Sequence, residues 1–297
     1  MPQFNVRSEE PQGNIIALVL LLAFLWGGNS LSIKVGLQDL PPLALAFLRF
    51  VLGLIAVGSW AIHCRISLQL RRGELPRLLL LTAIFILQII ALNTGTRLTT
   101  ASRSTIFINV YPFFTALFAH CWIPRERLSV TKSLGILTAF SGVFVTFAPN
   151  LSGGPENLIG DLIVLVSGCF LGLRVVVTKL QVQSIHPYRL LVWMLILSLP
   201  CFLGLSFLLE RNAHFQLTLA GGAALLYQGC VVAGFCFLVW TSILEKYSAS
   251  RLVVLFFATP LSGVLFSHML LGDELTLSLL IGAGLVAVGI YLVNMQR

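Results

Sequence analysis

Long apolar runs alternate with short polar joints along this chain of 297 residues. Ten runs stand out, at about 14–34, 42–62, 75–95, 102–122, 130–149, 159–179, 188–209, 219–242, 251–271 and 276–295. Each is about 20 residues long, enough for a helix rising ~1.5 Å per residue to cross ~30 Å of hydrocarbon. None shows the apolar–polar alternation of a barrel strand. Lipid offers no partner to bare backbone, so the runs predict helices. The joints are short and carry Pro or Gly, as at Pro41-Pro42, Gly73, Pro124, Gly153-Gly154-Pro155 and Pro187. The pattern predicts an all-α membrane protein with ten transmembrane helices.

Composition sharpens this picture. Apolar residues make up 57% of the chain and charged residues 10%, against roughly 25% charged in a soluble domain. The net charge of +8 does not point to nucleic acid, because the basic residues sit in short joints and form no single tract or face. They report topology instead. With the N-terminus inside, the inner joints hold Arg65, Arg71, Arg72, Arg77, Arg127 and Lys132, among others. The outer joints hold Lys34, Arg97, Arg103 and Arg211. That bias predicts both termini in the cytoplasm and an integral, multi-pass protein of a cell membrane, a bacterial inner membrane. Residues 1–13 form a polar cytoplasmic tail. The first run is too long for a signal peptide and lacks a small-residue cleavage site, so it reads as a retained span. The six cysteines are scattered without metal-type spacing, and no metal or cofactor is expected.

The chain also repeats itself. From Thr100 to Glu126 and from Ser248 to Glu274 the offset is 148, with Ala101/Ala249, Ser102/Ser250, Arg103/Arg251, Pro112/Pro260, His120/His268 and Glu126/Glu274 among the identities. Gly135 and Gly142 match Gly282 and Gly289 after a one-residue slip. At offset 145, Gly27, Lys34 and Pro42 match Gly172, Lys179 and Pro187. Residues 14–149 and 159–295 thus read as two five-helix copies. Five is odd, so the second copy enters the membrane inverted, an architecture shared by many secondary transporters. Two such copies exchange conformations and expose a midplane site first to one side and then to the other.

The chain resembles the drug/metabolite transporter superfamily, in its ten-helix EamA-type branch. The resemblance rests on the block from Ala23 to Gly36 (AFLWGGNSLSIKVG), on Pro42 and Arg49, and on the ASR…P…E pattern in both copies. It rests also on Gly160 to Gly168 (GDLIVLVSG) and on the glycines of the fifth and tenth runs. It implies two inverted five-helix bundles around a central cavity, and export or exchange of small metabolites, amino acids or toxic compounds by alternating access. Family relatives of this length carry a complete pathway in one chain, which implies a functional monomer. Arg174, a charge inside the sixth run, departs from the common pattern.

Several polar residues inside apolar runs are candidates for substrate contact. Arg49 lies about 7 residues into the second run, where a charge is costly unless it faces the bundle interior or a partner. It either binds a substrate carboxylate or ties helices through backbone carbonyls. Arg174 either lines the cavity or snorkels to the nearer interface. Trp26-Gly27-Gly28-Asn29 interrupts the first helix, because glycines cost roughly 1 kcal/mol each in a helix interior. Asn29 and freed backbone then meet the cavity, or the glycines serve close helix packing. Asn109 and Tyr111 precede Pro112, which frees the Ile108 carbonyl, and Pro260 does the same in the second copy. Gln88, Asn93, Tyr227 and Gln228 complete the candidates; each is either a cavity residue or an interhelical contact.

His120 and His268 fall near opposite faces, as interfacial residues or as gating groups. No Asp or Glu occupies the middle of a span. Beside two intramembrane arginines, this favours anionic or zwitterionic substrates over lipophilic cations. There is no H-E-x-x-H, G-x-S-x-G or paired acidic motif, which argues against an intramembrane enzyme. The expected function is a secondary transporter exporting small polar metabolites such as amino acids, with a lipid-linked sugar or drug efflux carrier as the alternative. A small-molecule substrate and membrane lipid are the expected partners.

Overall fold

The computed structural model describes residues 7–123, 126–147, 155–213, 215–262 and 277–295. His268, Glu274, Pro124 and the Gly153-Gly154 joint lie outside the described residues. Among those described, helix dominates and the sole bridge pairs Glu9 with Tyr247. Seven stretches are long and apolar enough to cross a membrane: Gly13–Asp39, Pro42–His63, Glu74–Leu98, Arg103–Trp122, Asn157–Gln181, Pro187–Leu209 and Leu219–Lys246. Three shorter apolar helices, Val130–Val145, Ala249–Ser262 and Gly284–Val293, fall in the fifth, ninth and tenth expected runs. Leu79, Leu80, Ile62, Leu208 and Leu209 point outward, as apolar side chains do when lipid is the solvent. The chain is an integral, multi-pass, all-helical membrane protein.

The breaks fall where backbone chemistry demands them. The first stretch divides into α1 (Gly13–Gly27) and α2 (Asn29–Asp39) at Gly28. α3 (Pro42–His63) and α4 (Glu74–Leu98) follow, the former opened by proline at its first turn. α5 (Ala101–Ile108) and α6 (Tyr111–Trp122) are parted at Asn109-Val110, because Pro112 has no N–H to offer and its ring crowds the preceding turn. Next come α7 (Val130–Phe147), α8 (Pro155–Gln181) and α9 (Pro187–Leu209). α10 (Leu219–Leu226) passes into a π-helical segment, Tyr227–Cys236, and then α11 (Phe237–Lys246). α12 (Ala249–Leu255) tightens to a 3-10 turn at Phe256–Ala258, just before Pro260. α13 (Leu277–Met295) ends the described chain.

The repeated residues do repeated work. Lys34 donates to the carbonyls of Thr96 and Thr99 (3.0 and 2.6 Å). Lys179 donates to those of Leu244 and Tyr247 (2.7 and 2.8 Å). The two lysines are 145 residues apart and each acceptor pair 148 apart, so one device closes two helix C-termini. α7 and α13 pack through glycine. A Cβ on Gly142 would lie 2.5 Å from the Gly282 carbonyl oxygen, and one on Gly135 would lie 2.9 Å from that of Gly289. Those two contacts exchange under the repeat, the pattern of a self-complementary seam.

The ends of the molecule are sewn differently. Asp161 is buried and accepts from Thr99 Oγ1 (2.8 Å) and from the Arg103 guanidinium, Nε at 3.0 Å among its donors. Glu126 accepts from Ala249 N, Ser250 N and Ser250 Oγ (2.9, 2.9 and 2.6 Å), placing a carboxylate on the first turn of α12. The tail reaches the same end. Glu9 N donates to Lys246 O (3.0 Å), Ser248 N to Glu9 O (2.9 Å), and Ser8 Oγ to Glu126 (3.1 Å). Residues expected as a plain polar tail therefore include a strap across the helix ends.

Candidate functional site

A cavity of about 110 Å³ lies inside the helix bundle, between α1–α6 on one side and α8, α11 and the Phe256–Ala258 turn on the other. That is room for several waters or one small solute. Seven of the ten candidate residues line it: Trp26, Asn29, Arg49, Gln88, Asn109, Tyr111 and Arg174. Each arrives by a local feature of its helix. The α1/α2 break presents Trp26, Asn29 and Ser30, and the α5/α6 break presents Asn109 and Tyr111. Asn109 Nδ2 bonds back to Thr105 O (2.7 Å), taking up a carbonyl near the break.

The amide and hydroxyl donors of the other three candidates are engaged elsewhere, while Asn93 Oδ1 and Gln228 Oε1 are buried without partners. Asn93 Nδ2 donates to Pro42 O (2.9 Å), joining α4 to the start of α3. Gln228 Nε2 donates to Ser32 O (2.9 Å), joining the π-helical segment to α2. The Tyr227 hydroxyl donates to Leu25 O, in the last turn of α1 where carbonyls lose their helical partners. All three are interhelical contacts outside the cavity. His120 lies at a joint, its Nδ1 accepting from Leu128 N (3.1 Å).

Two guanidinium groups face the cavity. Arg49 is 1% exposed, yet its Nε and Nη1 have no partner. Those atoms tie no helix through a carbonyl; the contact recorded for the group is the Phe50 ring, 4.7 Å from Cζ. Arg174 does not snorkel. Its Cζ lies 5.2 Å from the ring centres of both Phe85 and Phe237, a cation–π seat that turns the group inward. The two charges repel each other, and among the described residues no Asp or Glu lines the cavity.

Unpartnered acceptors complete the set. Gln88 Nε2 donates to Ser167 Oγ (3.3 Å), while its Oε1, the Asn29 Oδ1 and the Thr259 Oγ1 are buried without partners. An aromatic wall faces them, with Trp26 and Phe256 at 5.2 Å and Trp240 and Phe256 at 4.9 Å between ring centres. The candidate set omits Thr105, Thr259 and Trp240, which also line the cavity. The repeat offset points to two of them: Tyr111 plus 148 is Thr259 and Leu92 plus 148 is Trp240.

A multi-pass helical bundle around a cavity lined by polar and apolar side chains, with no Asp or Glu in that lining among the described residues, is the frame of a membrane carrier, and the relatives of this chain bear transporter names. Residues 13–148 and 158–295 each match the model of the EamA-like transporter family; the chain belongs to that family. An uncharacterized transporter of Archaeoglobus fulgidus is 30% identical over 95% of this chain and 99% of its own. The probable amino-acid metabolite efflux pump of Escherichia coli is 27% identical over 93% of each. One solved crystal structure superposes with a TM-score of 0.80 at 16% identity, covering 94% of this chain and 97% of that one, a likeness in fold alone. The protein is a transporter with a small-molecule substrate.

Proposed function

We propose that this transporter exports small polar metabolites, amino acids or related compounds, by alternating access. In this reading it has ten transmembrane helices: a cytoplasmic tail (1–13), a first five-helix repeat (14–149) and a second, inverted one (159–295). Both termini face the cytoplasm of a bacterial inner membrane, and one chain, without a nucleic-acid partner or enzymatic step, carries the pathway. The carrying observation is that the cavity lining falls into equivalent pairs under the repeat. Trp26/Leu171, Asn29/Arg174, Ser30/Val175, Ile108/Phe256 and Tyr111/Thr259 all line it. A site built from matching positions of two copies sits where their rocking would expose it alternately. The substrate class follows from the efflux-pump names of two relatives, in Salmonella typhimurium and Escherichia coli.

The test is metabolite profiling of the medium of over-expressing cells, against a Ser30→Trp variant that fills the cavity. Wild type enriches the medium in a defined set of small polar solutes, and the variant does not. An unchanged medium, or enrichment confined to lipophilic cations, would overturn the reading.

A further inference from the structure

We infer that the cavity takes a small dicarboxylate, with or without an α-amino group, whose two carboxylates are held by Arg49 and Arg174. The inference rests on the carrier reading above and deepens it. Two positive charges share one small buried volume, and among the described residues no acidic side chain lines it. A buried charge without a counter-charge is costly. Arg49 has two guanidinium N–H groups without partners although the residue is almost wholly buried. Each offers a carboxylate oxygen one charge-assisted hydrogen bond, from different edges of the guanidinium plane. Arg174 holds a free Nη1 while its planar face is occupied by Phe85 and Phe237. Its edge, not its face, is what remains for a ligand.

A single carboxylate would leave one of the two arginines without a counter-charge, whereas two carboxylates give each arginine its own. The amide oxygens of Asn29 and Gln88 are buried acceptors without donors, which suits the ammonium of an acidic amino acid. Neither arginine is written by the repeat: the positions equivalent to Arg49 and Arg174 hold Met194 and Asn29. The pair is a property of this cavity and not of the duplicated scaffold.

The experiment compares dicarboxylates with their side-chain or mono-amides, which keep one carboxylate: aspartate with asparagine, glutamate with glutamine, succinate with succinamate. Thermal stabilisation of the full-length protein in detergent and counterflow in liposomes are the readouts. At least one dicarboxylate is expected to stabilise the protein and to exchange tenfold or more faster than its amide. Arg49→Met and Arg174→Asn, which copy the equivalent residues, each bring that ratio close to one. The unliganded Arg49→Met protein melts at or above wild type, because an uncompensated charge has been removed. Equal response to acid and amide, a ratio that survives both substitutions, or a large loss of stability in Arg49→Met would overturn the inference. Export of solutes into the medium without response to any of these acids overturns it while leaving the carrier reading intact. Failure of both assays removes both.

Discussion

The two halves of the cavity wall occupy equivalent positions and differ in chemistry. Residues 26–111 contribute Asn29, Ser30, Arg49, Gln88, Thr105, Asn109 and Tyr111 beside Trp26, Ile89, Leu92 and Ile108; residues 171–259 contribute Arg174 and Thr259 among Leu171, Val175, Phe237, Trp240 and Phe256. The first wall carries most of the polar groups, and the second is largely aromatic and aliphatic. A duplicated scaffold needs only the positions to match, since helix packing reads size and backbone approach. A substrate reads hydrogen-bond donors and charge, and these sit where the copies have diverged. The difference teaches that the two copies share cavity positions without sharing their chemistry.

The same contrast reaches the ends of the molecule, and the largest expected effect lies there. Arg103 and Arg251 are equivalent, yet Arg103 meets the buried Asp161, while Arg251 meets Glu10, whose side chain is 55% exposed, at 2.9 Å. Removing one partner of a buried pair costs about 3–5 kcal/mol, whereas an exposed pair is worth up to about 1 kcal/mol. Asp161→Ala should therefore lower unfolding stability in detergent by the larger amount and Glu10→Ala by the smaller. Equal losses would mean that the two ends are held alike.

A smaller effect tests where the halves agree. Gly142 and Gly289 are equivalent, and a Cβ on either would lie 2.5 Å from the facing backbone. Gly142→Ala and Gly289→Ala should each cost about 1–3 kcal/mol by overpacking. Gly284→Ala, on the same helix with open space around it, should be neutral or better. Unlike costs at the first two positions, measured by the same unfolding assay, would break the equivalence of the seam.

Much of this was legible in the residues. Apolar run length gives the spans, Pro112 and Pro260 give the breaks in equivalent helices, and the Gly27-Gly28 pair gives the interruption of the first. Polar residues within spans are a weaker guide. The amide N–H groups of Asn93 and Gln228 had to donate somewhere, but the carbonyls of Pro42 and Ser32 that accept from them are set by tertiary packing. Arg174 sits near enough to a helix end to snorkel; two phenylalanines from other helices turn it inward, and no local pattern announces them. The π-helical stretch Tyr227–Cys236 is likewise invisible to periodicity, because its close approach to α3, where a Cβ on Gly229 would lie 2.4 Å from Leu52 Cβ and one on Gly234 2.9 Å from Ala56 Cβ, is a property of the pair.

The smallest expected effect concerns the break that only one copy has. The first copy reads Gly27-Gly28 and divides into α1 and α2; the second reads Gly172-Leu173 and runs unbroken through α8. Tyr227 props the break open from the second copy, its hydroxyl on Leu25 O and its ring edge against Gly28. The position equivalent to Tyr227 is the outward-facing Leu79. Gly28 has φ of −75°, so alanine is conformationally allowed there, but its Cβ would lie 2.9 Å from the Tyr227 hydroxyl oxygen. Gly28→Ala alone should therefore destabilise modestly, and Tyr227→Leu alone should cost about 1 kcal/mol for the lost hydrogen bond. Together they should cost less than their sum, because the clash is gone and alanine gains roughly 1 kcal/mol of helix propensity over glycine. The double variant is expected to fold near wild-type stability while losing transport, since a healed helix no longer turns Asn29 and Ser30 into the cavity. Intact transport in that variant would show that the break is a packing accident of the first copy and not part of the site.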